Sequence, residues 1–340
     1  MPSIGRRWSW QSNCGGLKVK APAYEWPDRA EYCVWPDAVE ALVADLGGTP
    51  DLRVDEFPQY RGHAVYALTF GRGKKRLFVS RPHAHEPAGV AACMELVKAL
   101  AGWRDYGVRN AAWRAWVLAH FSITLVPDAN PDGSARAPVE FWDGTEIANE
   151  QFFLWMFGES GEEKGTRFPR VDAWDMREVV APALIGIAYE QLEEFLYVEP
   201  NRDYRSTFFR SFFALDEAAT YDVWLDLHQT EFLNSDRNTA LFLPTCQDEL
   251  SLAMQTEHLS LAEVIMACWR QAGVRPRERA EIPYRNNDVQ RNLLNAVWRP
   301  ISERMVHIVT EVQNNNPATP VEDQVRLQIL AVLATLEWMA

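Results

Sequence analysis

Six short runs of β-branched and apolar residues recur along this chain, and segments of helical periodicity fill the gaps between them. The runs are AVYALTF (64–70), KRLFVS (75–80), SITLVP (122–127), VWLDLH (223–228), ALFLP (240–244) and HIVTEV (307–312). Each has the length and composition of a strand buried in a sheet. After Trp35, the residues Val39, Leu42, Val43 and Leu46 repeat at three to four until GG and Pro50 stop them. From Ala88, the residues Val90, Cys93, Met94, Val97 and Ala101 share one helical face. A last helix is expected from about Val321 to Met339, with Pro320, Glu322 and Asp323 suiting its first turn. Strands alternating with such helices predict an α/β fold with a mostly parallel sheet. Ligands in such sheets sit beyond the carboxyl ends of the strands. There KRLFVS runs into RPHAHE, SITLVP into DANPDG, VWLDLH ends on His228, and HIVTEV carries Glu311.

Charge and cysteine usage remove several function classes. Acidic residues outnumber basic ones 47 to 34, a net charge of -13, which repels phosphate backbones and anionic lipid. Neither nucleic acid nor a membrane surface is expected as a partner. The opening MPSIGRRWSWQSNCGG has no apolar run behind its arginines, so no signal peptide is read there, and a cytoplasmic location is expected. The five cysteines (Cys14, Cys33, Cys93, Cys246 and Cys268) are odd in number and form no CxxC pair. That argues against a disulfide framework and against a cysteine zinc site. No repeat is visible in the 340 residues. The stretch 135–199 breaks the strand–helix rhythm. It is rich in aromatic and acidic residues, and it is read as an insertion within one domain, able to lie over a site.

The chemistry concentrates in RPHAHEPAGV (81–90), which holds two of the chain's seven histidines. His83 and Glu86 are three apart just after a strand, so a turn there would aim both the same way. With His228 they form a set of two histidines and one carboxylate. Such a set suits zinc and leaves a fourth position for water. By itself HxxE is a short motif that ordinary loops also contain. A competing set pairs His83 with His85, as in the HxH of amidohydrolase barrels.

Five segments, taken in order, resemble the zinc metallocarboxypeptidases of the carboxypeptidase A type. They are KRLFVSRPHAHEPAG, NPDG at 130–133, PNRDY with Asn201 and Arg202, LDLH with His228, and IVTEV with Glu311. The resemblance spans roughly Ala38 to the end and implies a three-layer α/β/α domain around a mixed, mostly parallel sheet. It also implies a role for each matched residue. His83, Glu86 and His228 would bind zinc, and His85 would occupy a variable position. Glu311 would be the general base, taking a proton from water and handing it to the departing amine. Asn201 and Arg202 would clamp a substrate carboxylate, a guanidinium matching it with two parallel hydrogen bonds. Tyr284, in EIPYRNN, would be the mobile tyrosine. The oxyanion arginine that should follow NPDG is disrupted in spacing: Arg136 is nearest, and Arg167 and Arg170 lie further into the insertion. Asp132 and Asp226 are candidates to orient ligands from behind. His63, His120, His258 and His307 have no motif around them and are read as structural.

The expected function is therefore hydrolysis of an amide beside a free carboxylate, with zinc as cofactor and a peptide as substrate. A deacylase of small N-acyl amino acids would use the same residues. A binding protein that keeps zinc without turnover is the alternative from another class, and the retention of Glu311 counts against it.

Overall fold

The computed structural model describes residues 27, 29–105, 110–160, 172–179, 183–230 and 236–340. In chain order its strands are β1 (Leu52–Pro58), β2 (Ala64–Phe70), β3 (Lys75–Ser80) and β4 (Phe121–Val126). Five short ones follow: β5 (Gly158–Ser160), β6 (Trp174–Asp175), β7 (Ala183–Ile185), β8 (Glu190–Gln191) and β9 (Leu196–Val198). The last are β10 (Val223–Thr230), β11 (Thr239–Phe242) and β12 (Val306–Gln313). The helices are α1 (Pro36–Asp45), α2 (Pro87–Ala101), α3 (Ala111–His120), α4 (Pro131–Ser134) and α5 (Asn149–Phe157). They continue with α6 (Thr207–Ala218), α7 (Leu252–Gln271), α8 (Asp288–Ser302) and α9 (Val321–Met339).

The main sheet has seven strands in the order β1-β2-β4-β3-β10-β12-β11. Its four central strands, β4, β3, β10 and β12, are parallel to one another. The outer strands β1, β2 and β11 pair antiparallel. All six expected runs are strands of this sheet. β1 was not expected, because LRVDEFP mixes charge with apolar residues and lies half exposed at the edge.

Side chains alternate across the central strands, and each face has its own core. On one face Leu77, Val79, Leu225, Leu227 and Ile308 pack with residues of α2, α7 and α9. On the other Phe78, Val126 and Trp224 pack with Phe208, Phe209 and Phe212 of α6 and Leu294 and Trp298 of α8. Helices on both faces of a mixed sheet make the three layers.

Local chemistry fixes the elements that carry the site. Glu86 N donates to His83 O at 3.0 Å, closing a turn directly after β3. Gly89, in the first turn of α2, packs against Arg81, and a Cβ there would meet Arg81 Cγ at 2.8 Å. The buried Arg81 guanidinium pairs with Asp128 at 3.1 Å, joining this turn to the loop before NPDG. Ser206 caps α6, accepting from Phe209 N, and donates to Pro200 O at 2.6 Å, which anchors the Asn201–Arg202 turn. Cys33, Cys93, Cys246 and Cys268 are not in disulfides; Cys14 lies outside the described residues. Among the described residues no helix is long and apolar enough to cross a membrane.

Candidate metal centre and active-site pocket

The parallel pairing of β10 and β12 sets His228 directly beside Glu311. β3 lies on the other flank of β10, so the turn after it brings His83 and Glu86 to the same end of the sheet. Both imidazoles turn Nδ1 toward Glu86. His83 Nδ1 lies 3.1 Å from Oε1, and His228 Nδ1 lies 3.3 Å from Oε2. All three residues are buried.

The far nitrogens are held by further buried carboxylates. His83 Nε2 faces Glu199 Oε1 at 3.1 Å and Asn201 Oδ1 at 3.3 Å. His228 Nε2 faces Asp226 Oδ2 at 2.8 Å. Asp226 in turn accepts from Ser80 Oγ at 2.8 Å, which accepts from Trp224 Nε1 at 2.7 Å. A carboxylate behind each imidazole fixes its tautomer and raises its basicity toward a cation.

The electrostatics have one sign. Burial alone would lower the pKa of His228, but Glu86 and Asp226 on either side raise it well above the usual imidazole range. Burial would raise that of Glu86, but His228 and His83 hold it well below the usual carboxylate range. The surroundings therefore favour positive charge between these side chains. Two nitrogens and one carboxylate, converging and backed by acids, fit a zinc ion with a position left open.

His85 is close to the same centre. Its ring stacks on that of His83 at 5.2 Å, and its Nε2 lies 3.5 Å from Glu86 Oε1. Ligand atoms of His83, His85 and Glu86 all fall within 4.8 Å of one another. Two trios thus share His83 and Glu86. In the one completed by His228 the two histidines repeat one arrangement, Nδ1 inward and Nε2 on an acid.

A cavity of about 300 Å³ opens onto this centre. His83, Glu86, His228, Asn201, Arg202, Tyr284 and Glu311 all line it. Arg202 is buried; its Nε lies 3.5 Å from Glu199 Oε2 and its Nη2 donates to Tyr284 OH at 3.2 Å. Tyr284 has φ 58, a left-handed backbone unusual for a bulky side chain. Asn201 is fixed through its carbonyl, which accepts from Trp298 Nε1 at 3.1 Å.

Other expectations fall elsewhere. Arg136 is not among the residues lining the cavity. Its guanidinium donates to the carbonyls of Asp132, Gly186 and Tyr189, because the chain turns away after the single turn of α4. Arg167 and Arg170 lie outside the described residues. Asp132 does not stand behind a ligand either: its oxygens accept from the backbone of Arg61 at 2.6 Å and His63 at 3.3 Å, fixing the β1–β2 turn. Asn130 caps α4 and donates to Ile187 O and Ala188 O at 3.3 Å, so NPDG ties the sheet to the insertion. His307, read as structural, lines the cavity and stacks on Trp298. Glu199 was missed; its signal was an acid two residues before Asn201. Phe153, Met156 and Phe157 of α5 were also missed and form part of the cavity wall.

Solved structures share this architecture. A metallo-carboxypeptidase from Burkholderia cenocepacia superposes with TM-score 0.57 at 16% identity, covering 89% of this chain and 68% of that one. The chain has the metallo-carboxypeptidase fold. A Pseudomonas aeruginosa metallo-carboxypeptidase, in complex with (2-guanidinoethylmercapto)succinic acid, matches with TM-score 0.54 at 16% identity over 89% of this chain and 69% of that one. Bovine thrombin-activatable fibrinolysis inhibitor, in complex with tick carboxypeptidase inhibitor, matches with TM-score 0.54 at 12% identity over 90% and 96%. No protein-family model matches the chain, and no curated protein is similar to it in sequence.

Proposed function

We propose that this chain is a zinc-dependent hydrolase that cleaves an amide bond next to a free carboxylate, as a metallocarboxypeptidase does. The observation that carries this reading is the register of β10 on β12, which sets Glu311 beside His228 in the cavity that Arg202 and Asn201 also line.

His83, Glu86 and His228 are the proposed ligands. They would hold a zinc ion, which would supply Lewis-acid chemistry to the scissile carbonyl and to water. Glu311 takes the proton of the attacking water and delivers it to the departing amine. Arg202, steadied by Glu199, binds the substrate carboxylate, with Asn201 and the Tyr284 hydroxyl beside it. Glu199 also holds His83, so one acid couples the clamp to the metal ligands. The solved neighbours support this reading through the fold.

The test compares N-benzoyl-Gly-Phe with its C-terminal amide on zinc-loaded protein. The free acid should be cleaved and the amide spared. An Arg202→Ala variant should lose about a hundredfold in kcat/KM on the free acid, the order expected for a charge-assisted pair. Equal cleavage of acid and amide would contradict the clamp.

A further inference from the structure

The cavity has two unlike ends, and the one away from Arg202 has no role in the chemistry above. Ring contacts order the neighbours across the centre. Asn201 touches His83, His83 stacks on His85, and His85 lies against Phe152 at 6.2 Å and Phe157 at 6.4 Å. A substrate with its carboxylate on Arg202 and its scissile carbonyl at His83, Glu86 and His228 therefore directs its acyl side toward α5.

That side of the cavity is apolar. Phe153, Met156 and Phe157 line it, and the rings of Phe153 and Phe157 stack in parallel at 6.2 Å. The wall is also braced. Phe152, Met156 and Phe157 share a buried cluster with Trp142, Ile187 and Ala84, the last in the turn that bears His83. Gly186 packs so closely on the end of α5 that a Cβ there would meet Met156 O at 2.4 Å. Asn315 Nδ2 donates to Asn149 Oδ1 at 3.2 Å, holding the start of the helix. A helix fixed at both ends and along its buried face cannot swing aside cheaply. About 300 Å³ is at the small end of ligand cavities, a space that one blocked amino acid fills.

We infer that α5 forms an acyl pocket, and that the substrates are short: an amino acid with a free carboxylate whose amine carries one compact apolar acyl group. This rests on the hydrolase reading above and narrows its substrate class. Water adds across the amide, giving the free amino acid and the carboxylic acid of the acyl group, and no other reactant is needed.

The experiment uses zinc-loaded protein and substrates ending in phenylalanine. N-acetyl-, N-butanoyl- and N-benzoyl-phenylalanine are compared with benzoylated peptides of two to four residues. The benzoyl amino acid should exceed the acetyl one in kcat/KM by about tenfold or more, the usual value of filling an apolar pocket. Each added residue should lower it. In a Phe153→Ala variant the benzoyl-to-acetyl ratio should fall about tenfold, and the ratio for the four-residue peptide over the benzoyl amino acid should rise; Phe153 is only half-buried, which spares the fold. Peptides of four residues cleaved as well as the benzoyl amino acid would overturn the inference while leaving the hydrolase reading standing. Calorimetric binding of the same acyl series to a zinc-loaded Glu311→Gln variant reads the pocket without turnover. Preference for benzoyl there, with no hydrolysis by the wild type, would sink the hydrolase reading and keep the acyl pocket; equal binding of acetyl and benzoyl would overturn the pocket.

Discussion

Strands β10 and β12 carry two histidine sites, and the two are electrostatic opposites. At the carboxyl ends His228 sits beside Glu311, and Glu86 and Asp226 raise its pKa well above the usual range. Four residues back along the strands, on the floor of the same cavity, His307 sits beside Trp224, stacks on the Trp298 ring at 4.1 Å, and is pushed well below that range by burial, with His258 and His228 adding to the effect. Its neighbour His258 is lowered to about 4, again by burial. All three side chains are buried. Burial of an imidazole therefore does not make a cation site; the carboxylates around it do.

The contrast can be broken first at its acidic end. Glu311→Gln should lower kcat by about 10²- to 10⁴-fold, the usual worth of a general base, while zinc content stays at one per chain. Stopped assays paired with elemental analysis check both halves of that statement.

At the apolar end the effect is on stability. Burial lowers the His258 imidazole from its ordinary 6.5 to about 4. Between those values the unfolded chain takes up the proton and the folded chain does not. Stability present above pH 6.5 is thus lost as pH falls toward 4, by about 3 kcal/mol from this group. Denaturant titrations of His258→Gln should show a shallower acid decline than the wild type. An identical decline would mean that His258 does not titrate as its surroundings require.

The smallest effect sharpens the comparison from behind the ligands. Asp226→Asn keeps the shape of the hydrogen bond to His228 but removes the charge, so zinc affinity should weaken by about 10- to 100-fold. Competition with a chromophoric chelator measures it. The corresponding change at Glu199 should act on zinc through His83 and on the substrate carboxylate through Arg202.

The sequence made the parallel core legible because strands covered on both faces read as unbroken apolar runs. KRLFVS matches the parallel strand β3 residue for residue, AVYALTF matches the antiparallel β2 beside that core, and the 321–339 periodicity matches α9. The edge strand β1 escaped because half its residues face solvent. His83, Glu86, His228 and Glu311 could be named because the short segments that carry them resemble a family's motifs, and the strand register brings them to one end of the sheet. Partners brought in by long-range packing could not. Glu199 is one acid among 47. The apolar face of α5 reads the same whether it meets a core or a cavity. Arg136 failed for a related reason: nearness to NPDG in sequence says nothing of the direction its chain takes after α4.

Two trios compete for one ion, and metal content decides between them. Wild type, His228→Ala and His85→Ala should be purified, reconstituted with zinc, dialysed and assayed by elemental analysis. The account predicts one zinc per chain in the wild type and in His85→Ala, and loss of most of it in His228→Ala. Full retention in His228→Ala with loss in His85→Ala would contradict it.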